Sequence, residues 1–292
     1  MKKFTILLSM ILLNAALGYS QVAINTDGSS PDSSAILDLT SINKGFLLPR
    51  MTTVQITGIS TPAAGLLVYN TDSSDFYGYN GNKWISLWNT GDTLADWYCG
   101  NPITDFRDEQ SYTTVQIGTQ CWMAENLNIG TIINSSNQTD NDTIEKYCYG
   151  NDTTNCETYG GLYQWNEMMQ YVTTEGAQGI CPTGWHLPTD AEWTDLKDLL
   201  GATAGGELKE TGTAHWSPPN EGATNSSGFT ALPGGYRFTD GSFYGLASLA
   251  YFWASRENAS YALSYILHFD TWNMDRGFNL KADGFSVRCI KN

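Results

Sequence analysis

Two cysteines, Cys181 and Cys289, bracket roughly a hundred residues crowded with Trp, Tyr and Gly and free of any recognisable catalytic motif. The stretch opens on Cys181-Pro182-Thr183-Gly184-Trp185-His186 and closes on Gly284-Phe285-Ser286-Val287-Arg288-Cys289. It reads as a compact, aromatic-rich unit built to present a surface. Binding is therefore the first reading and catalysis the second.

The N-terminus speaks to compartment. Lys2 and Lys3 precede an apolar run from Phe4 to Leu17, and Gly18 and Ser20 fit the small-residue positions of a secretory signal cut after Ser20. The run is too short to span a bilayer, and no later stretch is long enough, so membrane insertion is not expected. No cysteine lies near the cut to take a lipid. Loss of residues 1–20 leaves 272 residues and, with Lys2 and Lys3 gone, moves the formal net charge from -15 to -17. Such acidity repels phosphate backbones and anionic lipid surfaces, so nucleic-acid binding is not expected either. With 15% charged residues, 29 Gly and 13% aromatics, turn-rich and largely β structure is expected.

The chain divides near Asn89-Thr90-Gly91-Asp92-Thr93, with 89–96 read as a linker. From Val22 to Trp88 it consists of short apolar runs bounded by turn residues: Ala35–Leu39, Gly45–Met51, Gly65–Asn70 and Lys83–Leu87. So few core positions make a marginal independent domain and point to packing on a neighbour or on further copies. In the second part, Thr189-Asp190-Ala191-Glu192 is a capping box, followed by Trp193, Leu196, Leu199 and Leu200 on one helical face and by Gly201 as the stop. A weaker helix is expected over Tyr163–Tyr171, where Trp165, Met168 and Met169 share a face.

Residues 22–88 resemble the N-terminal module of many secreted Bacteroidetes proteins and are similar to phage tail-fibre repeats. The residues carrying this are Ala35-Ile36-Leu37-Asp38-Leu39, Lys44 to Thr52, Gly65 to Asp72 and Tyr79 to Trp84. The resemblance implies a β-rich attachment or stalk module, assembling as a homotrimer. Residues 97–292 resemble the Fibrobacter succinogenes major paralogous domain. The resemblance rests on Val115 to Leu127, Gly161-Leu162-Tyr163-Gln164-Trp165, Cys181 to Pro188, Phe229 to Arg237 and Gly284 to Cys289. It implies an α+β, C-type lectin-like domain with long loops, related to formylglycine-generating enzymes.

Six cysteines allow fifteen pairings. By resemblance Cys181 pairs with Cys289, as the long bridge of lectin-like folds does; Cys148 and Cys156 close a short polar loop, and Cys99 is left to Cys121. A zinc or copper site is disfavoured, since no CxxC spacing occurs and only His186, His215 and His268 are present. Cysteines held in bridges have no thiolate, so the oxidase chemistry of the formylglycine-generating relatives is not carried over. No GxSxG, HExxH, Walker or Rossmann motif occurs, and no catalysis is expected. His186 is read as a packed histidine, and Asp190 and Glu192 as helix-start acids.

The amide-rich, acidic stretch Asn134–Glu157, with Asp140, Asn141, Asp142, Asn151, Asp152 and Asn155, offers oxygen ligands to calcium. It matches no EF-hand, and the sugar-binding signatures of calcium-dependent lectins are absent, so a solvated, bridged loop is the preferred reading and no cofactor is assigned. For a ligand surface, Tyr261, Tyr265, His268, Trp272, Asn273 and Arg276 stand out between Ser255 and Asn279, where related display proteins carry their variable face. Trp, Tyr and Arg are common at binding hot spots. Trp272, Asn273 and Arg276 are expected exposed together in a shallow depression, with Leu267 and Phe269 buried; the spacing of Tyr265, Leu267 and Phe269 fits the inner face of a strand equally well. The resulting expectation is a secreted or cell-surface binding and adhesion protein for a glycan or protein ligand. The alternatives are a structural component of a surface layer or appendage, and an enzyme on the formylglycine-generating scaffold.

Overall fold

The computed structural model describes residues 22–87, 98–134 and 137–292. Residues 1–20, read above as a secretory signal, residues 89–96, read as a linker, and the boundary residue Trp97 lie outside them. The described residues form two compact units, one on each side of that linker.

In the first unit, β1 (Val22–Ile24) and β2 (Leu37–Leu39) make a two-stranded parallel ribbon. A four-stranded sheet follows in the order β3 (Arg50–Met51), β4 (Leu67–Asn70), β5 (Asp75–Tyr79), β6 (Trp84–Ser86), parallel at its first pair and antiparallel thereafter. The run Gly45–Met51 is a strand only at its last two residues. Next to it, Thr52 and Gln55 form a capping box over the five-residue helix α1 (Thr53–Thr57), a helix the strand-sized pattern conceals. Packing in this unit is thin. Ile56, Val68, Tyr77 and Trp84 are its four buried apolar residues, whereas twelve large apolar side chains are exposed, among them Ile36, Ile42, Phe46, Leu47 and Val54.

The second unit is strand-rich with short helices. A ribbon of β7 (Ile103–Asp105) and β8 (Gln110–Tyr112) precedes β9 (Thr114–Ile117) and β10 (Gln120–Met123), and a second ribbon pairs β11 (Thr131–Ile132) with β12 (Glu145–Lys146). Helices α2 (Thr153–Tyr159) and α3 (Trp165–Met168) follow, then β13 (Trp185–His186), α4 (Asp190–Leu200) and α5 (Ala204–Leu208). The chain ends in β14 (Gly234–Arg237), β15 (Phe243–Leu246), β16 (Leu249–Asn258), β17 (Tyr261–His268), β18 (Met274–Leu280) and β19 (Ile290–Lys291). The main sheet runs β15-β14-β16-β17-β18, and a smaller one runs β13-β19-β10-β9.

The two-residue repeat of β16 assigns its side chains to two cores. Phe252 and Ala254 join Trp122, Trp193, Trp216, Phe229 and Tyr265 on one face, while Trp253 joins Trp165, Met168, Trp185 and Phe285 on the other. The α4 capping box forms as spaced: Thr189 Oγ1 accepts from Glu192 N–H, and the Glu192 carboxylate accepts from Thr189 N–H. Trp193 and Leu196 are buried, but Leu199 is exposed, so the apolar stripe is narrower than its spacing suggests. Helix α3 is four residues long rather than nine, because Gln170 and Tyr171 turn left-handed, with φ of 50° and 60°. Disulfides join Cys99 to Cys121, Cys148 to Cys156 and Cys181 to Cys289, with Cα separations of 5.8, 5.0 and 5.9 Å. The third holds the segment leading to β13 against the terminal strand, 108 residues away in sequence.

Candidate functional site

The six residues singled out between Ser255 and Asn279 do not share one face, although Trp272, Asn273 and Arg276 are each exposed. Antiparallel register places Tyr265 opposite Arg276 and Tyr261 opposite Leu280, so Tyr261, Tyr265 and Arg276 share one face of the β17–β18 pair. His268, one residue out of phase with Leu267, lies on the other face, and Trp272 and Asn273 fall in the connecting turn.

Tyr265 belongs to the core, not to a ligand surface. It is fully buried, stacks on Trp193 at 5.0 Å and donates its hydroxyl to Asp190 Oδ1 at 2.8 Å. Burial pushes its pKa up to about 12, with the Asp190 hydrogen bond adding to the rise. Arg276 is half exposed, yet its guanidinium is committed: Nε donates to Asp190 Oδ1 at 2.9 Å and Nη2 to Oδ2 at 2.6 Å. Arg256 donates to the same carboxylate at 2.5 Å. Arg276, followed by Tyr265 and Arg256, holds the Asp190 pKa down to about 2 against the opposing effect of burial. Asp190 is thus the first residue of α4 and also the point at which β16, β17 and β18 attach to that helix. Leu267 is buried and Phe269 only partly so.

Tyr261, at the start of β17, is exposed, and so is the β17–β18 turn, whose backbone is tightly held. Trp272 presents 46% of its surface to solvent. Beneath it, Gly206 N–H donates to Trp272 O at 3.1 Å. A Cβ on Gly205 would lie 2.0 Å from Asn273 O, so only glycine permits this approach of α5 to the turn. From the other side, the buried Lys209 ammonium donates to Thr271 O at 3.0 Å, His268 O at 2.9 Å and Glu221 O at 2.8 Å. Burial lowers the Lys209 pKa to about 8. Sequence reading passes over Lys209, because a lysine looks like surface until three carbonyls converge on it.

A second concavity, of about 480 Å³, is lined by Tyr112, Glu125, Asn126, Tyr159, Thr230 and Arg288, among others. Arg288 is 1% exposed, and its guanidinium donates to Asn126 Oδ1, Met123 O, Phe229 O and Thr230 O. Its guanidinium also lies 4.4 Å over Phe229. The cation therefore ties β10, the 229–230 segment and the terminal region together, rather than waiting for an anion.

Over residues 137–157 side-chain hydrogen bonds hold the backbone. Asp152 caps α2 by accepting from Thr154 N–H, Asn155 Nδ2 donates to Tyr149 O, and Asn141 Oδ1 accepts from Thr143 N–H. Among the described residues no group of three or more His, Cys, Asp or Glu side chains converges. His186 bridges Asn292 Oδ1 at 2.7 Å and Glu192 Oε1 at 2.8 Å. Burial opposes its charged form, but these two acceptors outweigh it and leave its pKa raised.

All six cysteines are bonded, a number of bridges that belongs to an oxidising compartment. Among the described residues no helix is long and apolar enough to cross a membrane. The class defined is thus a disulfide-stapled, strand-rich domain preceded by a small β unit with exposed apolar side chains. Residues 115–291 match the model of the Fibrobacter succinogenes major domain, and the chain belongs to that family. Residues 23–97 match the model of a phage tail like trimerisation region. No curated protein and no solved structure matches the chain.

Proposed function

We propose that this is a secreted or cell-surface binding and adhesion protein, assembled as a homotrimer through its N-terminal unit and presenting a lectin-like, non-catalytic C-terminal head. The carrying observation is the inverted burial of residues 22–87, twelve large apolar side chains exposed against four buried. A fully exposed side chain of this kind withdrawn from water contributes about 1.5–3 kcal/mol and a half-buried one proportionately less, which favours association between copies. The match to a trimerisation region supports three as the number of copies. The head follows as the part left to contact a ligand. Its exposed turn, with Trp272 and Asn273 on a backbone clamped by Gly205, Gly206 and Lys209, offers a rigid aromatic anchor at low entropic cost. The absence of a free thiol weighs against the formylglycine-generating alternative, and the reading calls for no cofactor.

The test is a panel of glycans and extracellular proteins probed with the full mature chain and with Trp272→Ala. Binding to a panel member, lost in the variant with melting temperature within about 2 °C of wild type, supports the head and its anchor. Wild-type binding by the variant rules out the turn, and absence of any binding from both panels argues for the purely structural alternative.

A further inference from the structure

The face of the main sheet opposite α4 carries a row of aromatic rings that the sequence disperses over three strands. Tyr244 on the edge strand β15 lies opposite Tyr236 on β14, and Tyr236 lies beside Tyr251 on β16. Their ring centroids are 5.8 and 4.9 Å apart. The row continues inward from Tyr251 to Phe285 at 4.6 Å and from Phe285 to Trp253 at 4.1 Å, so it is anchored in the first core. Outward it is open: Tyr244 is 49% exposed and Tyr236 and Tyr251 are partly so. Past Tyr251 the same register reaches Ile266 on β17 and Asp275 on β18, where His268 stands 3.3 Å from the Asp275 carboxylate. Five strands at the usual spacing make this shelf about 19 Å wide.

We propose that this tyrosine shelf is a docking platform for a neutral oligosaccharide chain. The inference rests on reading the C-terminal unit as a binding head, and it assigns the ligand class and a surface distinct from the Trp272 turn. Rings held by core packing lose little freedom on binding, and they offer flat apolar faces to the C–H faces of sugar rings. The tyrosine hydroxyls make no hydrogen bond among the described residues, which leaves them to the hydroxyls of a sugar.

Charge selects against other occupants. Asp275 is the carboxylate this face exposes, whereas Asp283 is buried and the nearby Arg237 is buried over the Tyr147 ring. A polyanion would meet the exposed Asp275 carboxylate, on a chain of net charge -15. A peptide adding to edge strand β15 would meet Gly245 at φ 77°, which breaks the extended backbone such a strand must offer.

Isothermal titration with gluco-, xylo-, manno- and galacto-hexaoses, run against the full mature chain, tests the assignment. At least one neutral hexaose is expected to bind. Tyr244→Ala, at an edge position, is expected to weaken it roughly tenfold, while Tyr244→Phe, which keeps the ring, stays within about threefold of wild type. Near-UV circular dichroism checks each fold, and Tyr236→Ala serves as the second variant. Hexaose binding undiminished in both alanine variants overturns the platform. So does binding lost only in Trp272→Ala, or confined to sulfated or uronic-acid chains, although the head reading survives either result. Absence of all hexaose binding overturns the platform, and the protein panel then decides whether the head reading falls with it.

Discussion

Asp190 is the residue whose removal reports most directly on how the main sheet and α4 are joined. Its carboxylate accepts from Arg276, Arg256 and Tyr265, three contacts from three strands. The fall of its pKa from 3.8 to about 2 corresponds to about 2.5 kcal/mol in favour of the charged, folded form. Asp190 is itself mostly buried, but the side chains of Arg256 and Arg276 are 49% and 40% exposed, and solvent screening brings the estimate down to about 1–2 kcal/mol. The 200-residue unit should therefore lose about 3–7 °C in melting temperature when Asp190→Asn is made. The sign of the pH dependence follows from the depressed pKa. The stabilisation is present above 3.8 and is lost as pH falls through about 2. Differential scanning calorimetry of wild type and Asp190→Asn at pH 7, 4 and 2 should show a gap that is full at pH 7 and mostly closed at pH 2. Equal melting temperatures at pH 7, or a gap undiminished at pH 2, would refute the reasoning.

Three further outcomes are expected. Removing the Cys181–Cys289 bridge by paired Ala substitution should cost about 4–5 kcal/mol, against about 2–3 kcal/mol for Cys148–Cys156, because the closed loops differ in length, 108 residues against 8; urea titration showing the reverse order contradicts the loop-entropy account. Gly205→Ala, which sets a Cβ against Asn273 O, should destabilise by more than about 2 kcal/mol and alter Trp272 fluorescence, and a neutral substitution would show that α5 does not clamp the turn. His186→Gln should cost more at pH 5.5 than at pH 9, since a raised histidine pKa gives stability that is present below 6.5 and lost as pH rises through the folded-state value. A pH-independent difference in melting temperature would mean that the Glu192 contact does not depend on the imidazolium.

Local features of this chain are legible in its sequence, and features assembled across strands are not. The α4 start is written in four consecutive residues, Thr189 to Glu192, because a capping box closes on itself. The N-terminal helix α1 carries the same kind of signal at Thr52 and Gln55, but five residues are too few for a helical period to emerge. Strand β5 escapes for a related reason, since Asp75 and Gly78 interrupt its alternation. Tyr265 shows the limit for sites. Its two-residue spacing with Leu267 is compatible with an inner or an outer strand face, and only the position of Trp193 settles which. Lys209 and Arg288 are opaque because a buried cation needs carbonyls from several distant segments. The shelf of Tyr236, Tyr244 and Tyr251 depends on register across β15, β14 and β16, which no single segment encodes.

The central claim is that residues 22–87 associate so that several heads are displayed together. Multi-angle light scattering behind size exclusion, on the mature chain and on a fragment beginning at Trp97, tests it at micromolar concentration. The account predicts three chains per particle for the mature protein and one for the fragment, with Ile36→Ser and Ile42→Ser together shifting the mature protein towards monomer. A monomeric mature chain at that concentration would contradict it.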